Sequence, residues 1–346
     1  MRLSEFDYEL PPERIAQRPL PERDTSRMLW LDRSGGRLED RMFREFPDLL
    51  APGDLLVAND SRVFPARLAG RLGGGAKVEV LLLGALGDGV WEALVRPGRK
   101  LGDGARIAFD DGVTAEVMRR GERGERRLRF AWPSEIEFDA WLAQHGHVPL
   151  PPYIRRREGD APEDRERYQT VYAAGDGKSA AAPTAGLHFS PGLLKRLGER
   201  GIEWTTVSLH VGLGTFQPVE CEEIENHPIH SERFEVTAPA AAAIARAQGE
   251  HRRIIAVGTT AARVLETMAG YGPEFHAGNG ETSIFLYPGR RFQLVDGLLT
   301  NFHAPRTTLL MMISALAGIE NVRRAYQHAL ANEYRFLSYG DCMLIT

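Results

Sequence analysis

The sequence predicts a layered α/β domain that is formed by both ends of the chain, with a β-rich segment inserted between them. Three observations support this architecture. The chain has 346 residues, which is enough for two domains or for one domain with a large insertion. Residues 62–132 show only short strands and turns. From about residue 149 onward, strands and helices alternate, as they do in layered α/β proteins.

The first segment combines one predicted helix with one apolar strand. The helix covers residues 40–50 and stops at Pro52-Gly53, and the strand follows at residues 55–58. In the insert, glycine-containing turns separate short strands, for example at residues 78–81, 91–95 and 114–118. This close spacing favours a small barrel or a sandwich.

Helix-capping residues mark the boundaries of several later elements. Ser134 is predicted to cap a helix, with Glu137 in the capping-box position and Gly146 at the helix end. Ser190-Pro191 starts another helix, which ends at Gly201. The remaining predictions are strands at residues 202–209 and 254–257, and helices at residues 239–247, from residue 261, and at residues 308–317 and 322–330.

Composition is typical of a globular cytoplasmic protein. The two cysteines, Cys221 and Cys342, match no metal or redox spacing, and no apolar run is long enough to span a membrane. The N-terminal residues do not form a signal peptide. The net charge of -4 gives no support to nucleic-acid binding, although local patches matter more than the sum. Two arginine clusters are candidate patches or, alternatively, solvated faces: 155–157, and the group Arg126, Arg127 and Arg129.

Four polar segments lie where layered α/β proteins place their sites, at the ends of apolar strands. They are residues 59–62, 183–189, 210–216 and 258–260. The first offers a carboxylate, an amide and a guanidinium, or else forms a capped turn. In the second, small residues let backbone approach a ligand, and His188 is either an acid, base or donor or a structural histidine.

The other two segments are less specific. The G-x-G at residues 212–214 is a weak signal, because Pro218 prevents the helix that a dinucleotide fingerprint needs. Gly258-Thr259-Thr260 either presents backbone N–H groups to an anion or contains an ordinary helix cap. Cys221, His227 and His230 are discounted as zinc ligands, because their spacing fits no common site and a fourth ligand is missing. These patterns alone do not identify a reaction.

Taken together, the segments resemble the S-adenosylmethionine:tRNA ribosyltransferase-isomerase family of queuosine biosynthesis. The matching stretches run nearly end to end, and the insert is the weakest of them. They are residues 17–20, 23–27, 59–63, 150–154, 164–172, 181–189, 210–216, 258–260, 300–303 and 338–341.

The resemblance implies a fold, a reaction and its reactants. The fold is a three-layer α/β/α sandwich of residues 1–64 and 149–346, with a small β-barrel inserted at residues 65–148. The enzyme transfers and isomerises the ribosyl group of S-adenosylmethionine onto 7-aminomethyl-7-deazaguanine (preQ1) at the wobble position of tRNA. Epoxyqueuosine forms, and adenine and methionine leave. S-adenosylmethionine is a co-substrate, and no metal or redox cofactor is implied.

The resemblance also implies site residues. The catalytic candidates are His188, His210 and Asp60. Candidates for binding S-adenosylmethionine or deazaguanine are Asn59, Arg62, Thr184, Gly186, Thr259, Thr260, Asn301, His303, Tyr339 and Asp341. Within these sets, Asp60 is expected at the ribose hydroxyls or the sulfonium, and Thr259, Thr260 and Arg62 at the methionine carboxylate. Arg155, Arg156, Arg157 and the insert are expected to contact tRNA phosphates.

Two other functions compete with this one. A methyltransferase acting on RNA with S-adenosylmethionine usually has a glycine-rich loop after its first strand, which is absent here. A non-catalytic RNA-binding protein usually has a stronger basic bias and more stacking aromatics than the 8% found here. We expect a cytoplasmic monomer without membrane contact.

Overall fold

The computed structural model describes residues 1–156, 159–174, 179–211, 219–272 and 275–346. The strands in these ranges are β1 (Arg27–Asp32), β2 (Arg37–Met42), β3 (Leu55–Asn59), β4 (Arg67–Leu72), β5 (Lys77–Gly87), β6 (Val90–Arg96), β7 (Arg106–Ala108), β8 (Thr114–Arg120), β9 (Glu125–Ala131), β10 (Glu203–Leu209), β11 (Glu232–Val236), β12 (Ile254–Val257), β13 (Gly278–Thr282), β14 (Gly297–Asn301) and β15 (Cys342–Ile345). The α-helices are α1 (Phe138–His145), α2 (Asp164–Arg167), α3 (Pro191–Glu199), α4 (Ala238–Gly249), α5 (Thr259–Ala269), α6 (Thr308–Ala317) and α7 (Ile319–Ala331).

A mixed sheet contains strands from both ends of the chain. Its order is β13-β11-β10-β3-β12-β14-β15-β1-β2. The central strands β10, β3, β12 and β14 are parallel to one another, and β15 and β1 run in the opposite direction. Their apolar residues are buried on both sides, as expected for central parallel strands.

Alternation along the strands divides the core into two layers. In β3, Leu55 and Val57 pack with α4 to α7, whereas Leu56 and Ala58 pack with α3. Successive side chains of a strand point to opposite faces, so helices cover both sides of the sheet. The predicted three-layer α/β/α sandwich is therefore confirmed.

The insert forms a closed antiparallel barrel with the order β4-β5-β6-β9-β8-β7. Helix α1 contributes Phe138, Trp141 and Leu142 to the barrel core. The two connections to the sheet run side by side, because Arg67 and His147 exchange backbone hydrogen bonds of 3.1 and 2.8 Å. A Cβ atom at Gly146 would lie 2.1 Å from the Pro65 carbonyl oxygen, so this crossing requires glycine.

The predicted helix at residues 40–50 is wrong in type and start. Strand β2 continues to Met42, since it pairs with β1 as a hairpin, and Phe43–Leu49 then forms a 3-10 helix. Pro47 lies inside this helix, and its missing N–H removes a hydrogen bond that an α-helix needs.

Capping predictions had mixed outcomes. Ser190 caps α3 by accepting a 3.1 Å hydrogen bond from Leu193 N–H, as predicted. Ser134 does not cap α1, because the helix starts only at Phe138 and a turn between Pro133 and Ile136 precedes it. Helix α5 starts at Thr259, so neither threonine is its cap; Gly258 takes that position with φ +92°. Within the described residues, no helix is both long and apolar enough to cross a membrane.

Candidate active site

The polar segments meet at one edge of the mixed sheet. Strands β3, β10, β12 and β14 end there, which brings together Asn59, His210, Thr259 and Asn301. Strands β15 and β1 run the other way and therefore begin at this edge. Their preceding residues, Asp341 and Ser26, join the group. The location agrees with the general rule that ligands bind at the carboxyl ends of parallel strands.

The sheet separates these residues into two groups. Asn301 pairs with Cys342 and faces the α3 side, whereas Thr300 pairs with Met343 and faces the α5 side. His188 packs against Phe43 on the α3 side, and Asp60 bonds to hydroxyl groups on that side. The group on the α5 side consists of Asn59, Thr260 and His303.

His188 is the last residue of a buried 3-10 helix, Thr184–His188, and is only 5% exposed. Its Nδ1 atom lies 2.7 Å from the Ser26 hydroxyl oxygen. Within the described residues, His188 Nε2 and the nearby Asn301 Oδ1 have no hydrogen-bond partner. An unsatisfied buried nitrogen costs folding free energy, so it is notable at a ligand-binding edge.

The environment of His188 strongly favours its neutral form. Burial is the main reason that its pKa is lowered to about 3, because a charged imidazolium loses its hydration. Arg335 and Arg23 lower the pKa further. The Asn301 side chain opposes them because it lies close to the ring, without the geometry of a hydrogen bond. The imidazole is therefore uncharged at physiological pH, with a lone pair on one of its ring nitrogens.

Asp60 is half-buried and held by β10. Its Oδ1 accepts a 2.6 Å hydrogen bond from Ser208, and its Oδ2 accepts a 2.7 Å bond from Thr206. Carboxylate oxygens have further acceptor capacity. Asp60 is therefore fixed in orientation and still able to accept hydrogen bonds from a ligand hydroxyl.

Asn59 is fully buried and its amide is fully used within the protein. Its Nδ2 donates to the Leu209 carbonyl at 3.1 Å and to Thr260 Oγ1 at 3.2 Å. Its Oδ1 accepts from the N–H groups of Ser61 and Leu209. Asn59 thus connects β3 to β10 and α5, and supports the edge without an atom left for a ligand.

His303 belongs to the α5 side of the sheet. Its Nε2 lies 2.7 Å from Thr300 Oγ1, and its backbone bonds to the hydroxyls of Tyr8 and Tyr326. Burial lowers its pKa to about 3. This geometry is that of a packed histidine separated from His188 by the sheet.

Other candidates also have partners within the protein. Asp341 accepts backbone hydrogen bonds from Arg27 and Arg335, and Tyr339 donates to the buried Asp164 at 3.2 Å. Gly186 packs closely, since a Cβ atom there would lie 2.0 Å from the Tyr172 hydroxyl. Thr184 is partly exposed and Thr259 is buried. His210 directly follows β10, and residues 212–216 of its motif lie outside the described residues.

An open cleft of about 760 Å³ lies beside these residues on the α3 side. Arg62 lines it and donates to the Ala173 carbonyl at 3.2 Å. Thr259 and Thr260 are not among its described lining residues, so the structure does not unite them with Arg62.

The arginine run divides into residues with different roles. Arg156 makes a bidentate ion pair with Asp164, whose side chain is completely buried. Its Nε and Nη2 atoms donate to the two carboxylate oxygens at 2.7 and 2.8 Å. Arg155 is exposed, and Arg157 lies outside the described residues. In the barrel, Arg126 is buried and bonds to carbonyls, whereas Arg127 and Arg129 are exposed.

Sequence reasoning missed Ser26, Arg23, Arg167 and Arg335. The first three lie in stretches that carried the resemblance, so their position in a motif was the available signal. Nothing local indicated that they converge with residue 188, because 162 positions separate Ser26 from it. Among the described residues, no group of three or more His, Cys, Asp or Glu side chains is arranged to hold a metal ion.

Comparisons with known proteins match this chain to one family over nearly its whole length. A family model described as "Queuosine biosynthesis protein" matches residues 3–345. Two relatives named S-adenosylmethionine:tRNA ribosyltransferase-isomerase, from Moorella thermoacetica and Heliobacterium modesticaldum, are each 52% identical, with 100% of this chain and of each relative covered.

A solved structure is also similar. It is the S-adenosylmethionine tRNA ribosyltransferase of Thermotoga maritima, which matches with a TM-score of 0.57 and 38% identity over 99% of this chain and 100% of that one. The resemblance inferred from the motifs is therefore confirmed. The chain belongs to the queuosine biosynthesis protein family, whose relatives here are named S-adenosylmethionine:tRNA ribosyltransferase-isomerases.

Proposed function

We propose that this protein transfers and isomerises the ribosyl group of S-adenosylmethionine onto preQ1 at the wobble position of tRNA, forming epoxyqueuosine and releasing adenine and methionine. The supporting observation is family membership over residues 3–345, which include both the sheet edge and the barrel. The residue assignments below are our proposals for this reaction.

The reaction needs a base for a proton on the carbon next to the sulfonium, and an acid for the departing adenine. We assign the base role to His188. When Nδ1–H donates to Ser26, the Nε2 lone pair is free for the substrate proton. Burial keeps this imidazole neutral at physiological pH, so Nε2 is unprotonated before substrate binds. His210 remains the second candidate for proton transfer.

Asp60 is proposed to orient the ribose through its hydroxyls. The Thr206 and Ser208 hydroxyls hold the carboxylate in place, so little entropy is lost when a ligand binds. The adjacent cleft, lined by Arg62, gives room for the nucleoside.

For tRNA, we propose that Arg155 and the exposed barrel arginines contact backbone phosphates, while the deazaguanine is exposed to the cleft. The charge of Arg156 is already paired with Asp164, so its proposed role is structural support of this surface.

The cytoplasmic location and the monomeric state also remain predictions. Cell fractionation tests the location, and size-exclusion chromatography tests the oligomeric state.

Mass spectrometry of a purified reaction tests the proposal. The mixture contains the protein, S-adenosylmethionine and an anticodon stem-loop that carries preQ1. An RNA mass gain matching the epoxy-cyclopentanediol, together with free adenine and methionine, supports the transfer. Adenosylhomocysteine or methylthioadenosine as the product, or unchanged RNA from a folded protein that binds both ligands, contradicts it.

A further inference from the structure

Three arginines surround a narrow pocket next to His188. Arg23 lies just before Ser26, Arg167 ends α2, and Arg335 precedes the last strand. The same pocket is lined by His188, and it shares Arg23 and Glu22 with the larger cleft. Three arginines from segments that are distant in sequence therefore line one pocket.

The guanidiniums are fixed mainly by neutral acceptors. Arg23 donates to the carbonyls of Leu187 and Glu166 at 3.2 and 3.0 Å, and Arg167 to those of Leu20 and Pro21 at 2.7 and 2.8 Å. In the described part of the chain, neither makes an ion pair with a carboxylate. Carbonyls orient the two groups, and the Glu166 carboxylate interacts with Arg23 at longer range.

Arg335 is only weakly compensated. It donates to the carbonyls of Arg18 and Tyr339, and its Nε lies 4.0 Å from Asp341, which already accepts two backbone hydrogen bonds. Among the described lining residues, Glu22 is the one carboxylate. Three guanidiniums close together repel one another, so an anion in the pocket would relieve an existing cost.

Three buried nitrogens around the pocket also lack partners in the described part of the chain. They are Arg167 Nε, Arg335 Nε and His188 Nε2. The two arginine Nε–H groups are unsatisfied buried donors, which an anionic group would satisfy, whereas His188 Nε2 carries a lone pair in the tautomer proposed above. His188 is only 5% exposed, so solvent does not account for its unpartnered Nε2 atom.

We propose that Arg23, Arg167 and Arg335 form an oxyanion pocket, which holds a carboxylate or phosphate group next to His188. The pocket volume of about 20 Å³ has room for an atom the size of a water oxygen, such as one oxygen of a carboxylate or phosphate group. This proposal rests on the proposed function for its two sources, the carboxylate of S-adenosylmethionine and a tRNA phosphate. Guanidiniums suit both groups, because their forked N–H donors match paired oxygens.

Binding measurements without turnover test the pocket. Arg167→Gln and Arg335→Gln are titrated with S-adenosylmethionine alone, and separately with a stem-loop that carries guanine in place of preQ1. Loss of a charge-assisted hydrogen bond should raise the Kd of one ligand about tenfold or more. Arg196→Gln is the matched control, since this exposed arginine of α3 also donates to a carbonyl, that of Arg44, but lies outside the pocket.

The affected ligand identifies the source of the oxyanion. Weaker S-adenosylmethionine binding with unchanged RNA binding assigns the pocket to the carboxylate, and the reverse result assigns it to a phosphate. Unchanged affinities for both ligands overturn the proposal. If a variant fails to fold, as judged by circular dichroism, competition on the wild-type protein decides. Sulfate should then displace one ligand more strongly than chloride at equal ionic strength, and equal effects overturn the pocket.

Wild-type turnover, followed by mass spectrometry in parallel, separates the two proposals. If the product is absent but the variants lose affinity, the oxyanion pocket stands and the proposed function fails. If the product forms but both variants bind like Arg196→Gln, the proposed function stands and the pocket fails.

Discussion

At the residue scale, His188 and His303 are similarly buried but differ in their hydrogen-bond partners. Both are nearly excluded from solvent, and burial lowers the pKa of each to about 3. His303 has its ring bonded to Thr300 and its backbone to two tyrosines. His188 is bonded to Ser26 and retains a nitrogen without a partner in the described structure. This difference favours His188 as the residue that acts on substrate.

His188→Ala should reduce turnover by about 10²- to 10⁴-fold, the usual contribution of a general base. Ser26→Ala should reduce it less, because the serine orients the imidazole and does not transfer the proton. Single-turnover kinetics with measured S-adenosylmethionine and RNA affinities provide the test. Wild-type turnover by a His188→Ala protein that binds both substrates would remove His188 from the mechanism.

The same two histidines should make the fold acid-sensitive. An unfolded histidine takes up a proton near pH 6.5, but in the native state His188 and His303 stay neutral down to about pH 3. The unfolded state therefore binds more protons as the pH falls below 6.5, and the free energy of unfolding decreases. Each histidine should contribute a slope approaching about 1.4 kcal/mol per pH unit.

Urea denaturation between pH 5 and 7 measures this slope, in a range where carboxylates in the unfolded chain are mostly ionised. His188→Gln and His303→Gln should each lower the pH dependence of the unfolding free energy by the contribution of one histidine, which is up to about 1.4 kcal/mol per pH unit. His251→Gln is a control, because this exposed histidine has no such burial. A wild-type slope that neither buried substitution changes would contradict the neutral assignment.

At the element scale, the 3-10 helix Thr184–His188 positions His188 through close packing. Its central Gly186 contacts the Tyr172 ring, whose hydroxyl occupies the space a methyl group would need. Strand β14 and this helix then bring Asn301 and His188 together. A short helix without long-range support has little intrinsic stability, so these contacts determine its position.

Gly186→Ala should therefore destabilise the fold by about 1–3 kcal/mol, as overpacking does, and lower turnover by displacing His188. Gly198→Ala in α3 is the matched control, since nothing lies within 4 Å of its new Cβ. That control should be neutral or slightly stabilising, because alanine is the better helix former. Equal thermal stability of the two variants would rule out the packing role.

At the scale of the whole molecule, the barrel and the sheet are joined by two neighbouring connections. Pro65 approaches Gly146, and Arg67 bridges to His147. We propose that the inserted domain begins at Pro65 and ends at Val148, so both segments of this crossing belong to it. The tRNA surface in our proposal extends across it, from Arg155 to the exposed arginines of β9.

Arg155→Gln should weaken tRNA binding and reduce its salt slope by about 0.7–0.9, the effect of losing one phosphate contact. Arg156→Gln should act mainly on stability, with a loss of about 3–5 kcal/mol, because it leaves the buried Asp164 without its ion pair. Filter binding over a range of salt concentrations and denaturant unfolding separate the two effects. An unchanged salt slope in Arg155→Gln would exclude it as a phosphate contact.

The sequence alone determined the architecture and the family. Binary patterns located β5, β6, β8 and β12, and the serine-proline pair located the start of α3, because these signals are local. The ordered motifs identified the family, and they included His188, Asp60 and the other residues of the sheet edge.

Only the tertiary structure decided which of these residues share a site. The sheet places His188 and His303 on opposite faces, although both lie in matching motifs. Pairing with β1 converted the predicted helix at residues 40–42 into strand. The convergence of Arg23, Arg167 and Arg335 also depends on contacts across more than 100 positions. Local patterns carry no record of such contacts, since they arise when distant segments pack together.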